Sequence, residues 1–249
     1  MDITGTLVSF CGSLEDHYLG AAQKCGVNLS PDAPFQESFR QAYKEVSRSH
    51  PCFGGQELTA KEWWKMCVNR SFDLAGVEMT ESQQDIVFQR IYSTFGSHVA
   101  YEVFGDVLPF LRWAKRNRIV CGVISNADER YGDSILPMLG LTHDELQFQC
   151  YSKDFSLEKP DGRFFYAAMK QADPWLTSDD PLLASHVLHV GNDYSKDFEG
   201  ARRAGMHAVL LDRYQQGELT EEWRRRGALV FEDLIDIVNF LGRSNCRLG

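Results

Sequence analysis

Apolar positions recur along this chain with two different periods, and the change between them divides it. From about residue 13 to residue 97 the spacing is helical. Leu14, Tyr18, Ala21/Ala22 and Cys25 fall on one 3.6-residue stripe, and Phe35, Phe39, Tyr43 and Val46 fall on another. Thr59-Ala-Lys-Glu62 and Thr80-Glu-Ser-Gln83 match capping boxes, each opening an apolar helix. No strand pattern interrupts this stretch, which reads as an all-helical lobe. Ahead of it, a polar Asp2–Thr6 turn leads into Leu7-Val8-Ser9-Phe10.

After residue 100 short apolar runs alternate with helices. A helix over Val107, Leu108, Leu111 and Ala114 precedes a strand at Ile119–Ile124, and a helix near 131–139 precedes a strand at Phe148–Tyr151. A helix from Pro160 to Ala172, a strand at Val187–Val190 and a helix at 195–204 follow. Then come strands at Ala208–Leu211 and Leu229–Phe231 and a closing helix over 232–242. Strand–helix alternation of this kind predicts βαβ units with right-handed crossovers around a buried parallel sheet. Gly140, Gly205 and Gly227 stand where helices should end. The predicted fold is α/β, a doubly wound, Rossmann-like parallel sheet over 1–12 and 98–249, with an inserted all-helical lobe over 13–97.

Composition narrows the function classes. The 249 residues are 43% hydrophobic and 12% aromatic, enough for a real core. A net charge of −9 without a basic stripe argues against a nucleic-acid partner, and the one dense run, Arg224–Arg226, reads as a solvated helix face. Seven cysteines are spread singly, with no C-x-x-C pair, and seven histidines show no ligand spacing, so reduced and packed thiols are expected. No apolar run of about 18 residues spans a membrane and no targeting segment is visible, so the expected location is cytoplasmic, with nucleus or organelle not set apart from it. Trp63-Trp64 reads as the core of the helical lobe or its interface with the rest, and His186 and His189, within or beside a strand, as packed.

In open parallel sheets ligands bind beyond the carboxyl ends of the strands. Ser125-Asn126 follows one strand, a polar loop to Lys159-Pro160 follows the next, and Gly191-Asn192-Asp193 with Asp197 follows a third. If Met1 closes a strand, Asp2 stands at its end. That strand has at most one residue before Asp2, so either the chain is shortened there or the strand is a stub whose nucleophile can fray. A carboxylate, a hydroxyl, an amine and a second acidic cluster at one sheet edge suit phosphoryl transfer. A carboxylate can attack phosphorus, acidic oxygens can hold Mg²⁺, and an amine with small polar donors offsets the charge on phosphate.

This ordered set resembles the motifs of the haloacid dehalogenase superfamily. Asp2-Ile3-Thr4-Gly5-Thr6 is similar to its Asp-x-x-x-Thr motif, Ser125 to its strand-ending Ser or Thr, and Lys159-Pro160 to its Lys motif. Gly191-Asn-Asp-Tyr-Ser-Lys-Asp197 is similar to its acidic cluster. The resemblance implies a Mg²⁺-dependent phosphohydrolase acting on a small phosphorylated metabolite through an aspartyl phosphate, with no membrane partner. It implies catalytic roles for Asp2, Thr4 and Lys159. It further implies phosphate contacts from Thr6, Ser125, Asn126 and Lys159, and metal contacts from Asp2, Asn192, Asp193 and Asp197.

Two positions depart from the family pattern. Thr4 stands where its phosphatases usually carry an acid–base Asp, as in P-type ATPases, whose phospho-aspartate is long-lived; such a loss typically forfeits about 10²–10⁴-fold in rate. Asn192 stands where many relatives read Asp, so either Asn192 replaces a ligand or the register slips to Asp193. A slow or inactive hydrolase and a binding or scaffold protein on the same fold are therefore both open. A carbon–halogen hydrolase ranks last, because its relatives tend to carry an aromatic where Thr4 stands.

Overall fold

The computed structural model describes residues 1–28, 34–176 and 180–243; Cys246 lies outside them. The chain enters through Asp2–Thr6 and a short strand β1 (Val8–Phe10), then forms helices α1 (Leu14–Lys24), α2 (Phe35–Ser49), α3 (Ala60–Leu74) and α4 (Glu81–Thr94). Both capping boxes form reciprocally at Thr59/Glu62 and Thr80/Gln83. The predicted stripes face inward: Tyr18, Phe35, Val68, Phe72, Phe88 and Ile91 make one apolar cluster. Ala42, Val46, Phe53, Trp63 and Cys67 make a second beside it.

The chain returns through β2 (Tyr101–Val103), which pairs antiparallel with β1, Val8 opposite Val103 and Phe10 opposite Tyr101. This two-stranded neck is absent from the sequence reading, since each strand is only three residues long and its partner lies about ninety residues away. Helix α5 (Val107–Arg116) follows, then β3 (Gly122–Ser125). The strand expected at Ile119 starts later because Arg118 takes φ +57° and Ile119 N–H closes on Ala114 O, leaving Ile119 exposed.

A π-type turn at Tyr131–Ile135 runs into α6 (Leu136–Met138), and β4 (Phe148–Tyr151) pairs parallel with β3. The loop expected after β4 opens with a short helix α7 (Ser152–Phe155). Helix α8 (Gly162–Ala172) begins at its Asp161 cap rather than at Pro160. Strand β5 (Leu188–Gly191), a π-type turn at Tyr194–Glu199, α9 (Gly200–Arg203) and β6 (His207–Leu211) follow. Helix α10 (Glu218–Arg225), β7 (Val230–Phe231) and α11 (Leu234–Arg243) close the described chain, with β5, β6 and β7 parallel.

Met1 and Asp2 join these pieces into one sheet edge. The Met1 nitrogen donates to Gly122 O and Met1 O accepts from Ile124 N, while Asp2 N–H donates to Val190 O. The stub at the start of the chain is thus stitched between β3 and β5, not frayed. Successive strand residues then point to opposite faces. Val123, Tyr151 and Val209 join α5, α6 and α11 in one cluster, whereas Ile124, Cys150 and Ala208 join α8 and α9 in the other. Helices on both faces of a parallel sheet make the core doubly wound. Gly140, Gly205 and Gly227 all take positive φ at helix ends, as their placement predicts. The six described cysteines carry free thiols, and no helix among the described residues is long and apolar enough to cross a membrane.

Candidate active site

Four strand ends converge. Asp2 projects from the stitched stub, Ser125 ends β3, Lys159 follows β4, and Asn192, Asp193 and Asp197 follow β5. The first turn is tight: Leu7 N–H and Val8 N–H both close on Ile3 O, and Gly5 takes φ +79°. A side chain at Gly5 would put its Cβ 2.4 Å from Asn192 Nδ2, so glycine lets the first and fourth segments touch. The same turn rolls Thr6 into the core. Expected to contact phosphate, Thr6 is instead fully buried and off the cavity wall, its Oγ1 without a hydrogen-bond partner among the described residues and its carbonyl accepting from Arg213.

Lys159 is the centre of the charge arrangement. Its Nζ lies 2.8 Å from Asp2 Oδ1 and 2.6 Å from Asp197 Oδ1. Ser125 Oγ donates to the same Asp2 oxygen at 2.9 Å. Asn126 fixes the lysine backbone from both sides, Nδ2 donating to Lys159 O and Oδ1 accepting from Lys159 N. Asn126 therefore orients Lys159. Burial opposes charge on the Lys159 ammonium, but the two carboxylates outweigh it and hold its pKa above the usual lysine value.

The two acids differ in surroundings. Asp197 is 1% exposed and its oxygens are fully engaged: Oδ1 by Lys159 and His189 Nε2 (2.9 Å), Oδ2 by the Asn192 and Asp193 amides at 3.1 and 3.0 Å. Burial pushes its carboxyl up, yet Lys159 and His189 more than offset that and hold it below the ordinary carboxylate range. Burial pushes Asp2 up, and Lys159 only partly offsets this against the neighbouring Asp197 charge. His189, packed edge-on against Phe165, is driven down to about 4 by burial, so near neutral pH it is uncharged and donates from Nε2 to Asp197. Gly191 leaves the space that Asp197 fills; a Cβ there would sit 2.1 Å from Asp197 Cγ.

These groups line a cavity of about 210 Å³ that includes Asp2, Thr4, Ser125, Asn126, Lys159, Asn192, Asp193 and Asp197. Mg²⁺ takes one or two carboxylates and keeps waters and phosphate oxygens. Asp2 and Asp193 or Asn192 offer such a partial seat. No group of three or more His, Cys, Asp or Glu side chains able to hold a metal occurs among the described residues. Asp197, expected as a ligand, has no free oxygen to offer in this arrangement. Asp193 caps the following turn, Oδ1 accepting from Lys196 N at 2.8 Å, and is 39% exposed at its side chain.

Two contacts were not legible in the sequence. Thr4 Oγ1 lies 2.9 Å from Tyr131 Oη, which is half-buried on the same wall. His189 braces Asp197. The Trp63-Trp64 pair lies where the sequence placed it: Trp64 reaches from α3 across to the core, its Nε1 donating to Asp128 Oδ2 at 2.7 Å, while Trp63 is buried among helices. The only available signals were weak: Tyr131 stands one turn beyond β3, and His189 shares a strand face with Gly191.

A family model for haloacid dehalogenase-like hydrolases matches residues 1–205. Human haloacid dehalogenase-like hydrolase domain-containing protein 3 is 32% identical over 211 residues, 84% of this chain and 79% of that protein. Among solved structures, a 2-haloacid dehalogenase from Pseudomonas syringae pv. Tomato superposes with TM-score 0.63 at 21% identity, covering 97% of this chain and 96% of that one. A HAD phosphatase from Thermococcus onnurineus does so with TM-score 0.55 at 17% identity, covering 97% and 95%. On the evidence of the matched length and of the motif residues gathered at one sheet edge, the chain belongs to the haloacid dehalogenase-like hydrolases.

Proposed function

We propose that this chain is a slow, Mg²⁺-dependent phosphohydrolase for a small phosphorylated metabolite, with residues 13–97 as a cap over a core of 1–12 and 98–249. The observation that carries this reading is the pair of donors on one oxygen of Asp2, Ser125 Oγ at 2.9 Å and Lys159 Nζ at 2.8 Å, at the wall of the cavity they share. A carboxylate so held has a fixed direction, and the same donors can pass to phosphate oxygens when a monoester enters.

Asp2 attacks phosphorus, forming the carboxyl O–P bond as the ester P–O bond breaks and the alcohol leaves. Water then attacks phosphorus and returns the Asp2 carboxylate with inorganic phosphate. Mg²⁺ bound by Asp2 with Asp193 or Asn192 would offset the phosphate charge. Asp197 positions Lys159 and the Asn192–Asp193 amides. Both steps want a proton carrier, and Thr4 is a hydroxyl tied to another hydroxyl; each proton must come from or go to water. That makes both steps slow. The free thiols of the described cysteines fit a reducing compartment such as the cytoplasm.

The Thr4–Tyr131 contact also favours a second reading, a protein that binds phosphate or holds phospho-Asp2 without useful turnover. Release of 4-nitrophenol from 4-nitrophenyl phosphate, with and without Mg²⁺, separates the two. Slow, Mg²⁺-dependent release that disappears in Asp2→Asn supports the hydrolase. Release that is absent in the native chain favours the second reading.

A further inference from the structure

A second cavity, of about 230 Å³, opens between the helical segment and the core and shares Asn126, Ala127 and Tyr131 with the polar one. Its walls are rings: Tyr43, Phe53, Trp64, Phe88, Tyr92 and Tyr101 among them. The charged pair that also lines it is turned on itself, with both Asp128 oxygens doubly engaged. Arg130 Nε and Nη2 donate to Asp128 Oδ1 and Oδ2, both at 2.8 Å, and Asp128 Oδ2 accepts from Trp64 Nε1 as well. The guanidinium stands 4.2 Å from the Tyr92 ring centroid and 5.5 Å from that of Trp64. Asn126 is occupied at both ends by the Lys159 backbone. A polyol or sugar in this space would meet mostly ring faces and few polar groups, so most of its hydroxyls would go unpaired, which costs more than it gains.

We infer that the leaving group of the substrate is a flat aromatic ring, so that the substrate class is aryl phosphates and not polyol or sugar phosphates. This rests on the phosphohydrolase reading and sharpens it. An apolar cavity of about 150 Å³ is enough for benzene, so the volume here suits a substituted or fused ring. Ring edges and faces on the walls match a ring in the space. The chemistry at Thr4 points the same way from an independent side. With a hydroxyl rather than an acid at Thr4, the alcohol leaves without a proton, and a phenoxide does so far more readily than an alkoxide. The Asp2 carboxylate takes the phosphoryl group, the phenoxide takes the electron pair of the broken P–O bond, and water protonates it afterwards.

Binding of non-hydrolysable phosphonates tests the inference without turnover. Isothermal titration of the full chain with 1-naphthylmethylphosphonate, benzylphosphonate and methylphosphonate, each with Mg²⁺, reads the contribution of the ring alone. Occupation of the cavity requires the aryl compounds to bind on the order of ten- to a hundred-fold tighter than methylphosphonate. Leu14→Trp, on the cavity wall and away from the phosphate groups, should erase that preference and leave methylphosphonate affinity unchanged. Equal affinities for all three overturn the aryl assignment and leave the phosphohydrolase reading standing. Failure of all three to bind, with inorganic phosphate failing too, overturns both.

Discussion

Thr4 and Tyr131 meet hydroxyl to hydroxyl at 2.9 Å on the wall of the cavity that Asp2 also lines. Neither can shuttle a proton near neutral pH, since burial drives the Tyr131 phenol above its ordinary value. Thr4→Asp should therefore speed the breakdown of phospho-Asp2 by about 10²–10⁴-fold, read from single-turnover decay. Tyr131→Phe alone should move that decay only a few-fold. An unchanged rate in Thr4→Asp would show that proton transfer does not limit the step.

Lys159 holds apart two carboxylates, the partly buried Asp2 and the buried Asp197. Replacing it with Met leaves Asp2 and Asp197 facing each other without a cation, and a loss of about 3–5 kcal/mol in unfolding free energy is expected. The diagnostic is the pH response. Without the ammonium both folded carboxyl pKa values rise above their unfolded values, so the penalty is present near neutral pH and is relieved as pH falls through them. Urea midpoints of Lys159→Met should thus rise on mild acidification relative to the native chain. A parallel pH response in both proteins would exclude this role for Lys159.

His189 gives a second pH signature. Its folded pKa, about 4, lies below the usual 6.5, so the fold prefers the neutral ring. Between those values the unfolded chain takes up a proton that the folded chain does not. The stability that His189 supplies is complete above about 6.5 and is lost as pH falls towards 4, at up to about 1.4 kcal/mol per pH unit. His189→Gln can still donate to Asp197 but does not titrate. Its melting temperature should fall less steeply than that of the native chain over this window, and equal slopes would contradict the assignment.

Much of this architecture could be read from residue order. Alternating periods marked the helical segment and the parallel sheet, Gly140, Gly205 and Gly227 marked helix ends, and the polar residues after β3, β4 and β5 marked the site edge. What escaped depends on partners far away in the chain. β1 and β2 are three residues each and take their stability from one another. Asp2 looked prone to fraying, but its backbone is held from both sides, by Gly122 and Ile124 on β3 through Met1 and by Val190 on β5. Thr6 and Asp197 show a subtler limit. Their residue types suit phosphate and metal, yet one tight turn buries the first, and four hydrogen bonds use up the oxygens of the second.

Phosphorylation of Asp2 is the central claim and can be seen directly. The native chain, incubated with Mg²⁺ and acetyl phosphate, quenched in acid and digested, should yield an N-terminal peptide heavier by one phosphoryl group, with the adduct on Asp2. Because Thr4 slows its release, the adduct should approach one per chain, vanish when Mg²⁺ is chelated, and be missing in Asp2→Asn. An unmodified Asp2 peptide under these conditions, or an adduct that survives in Asp2→Asn, would contradict the nucleophilic role of Asp2.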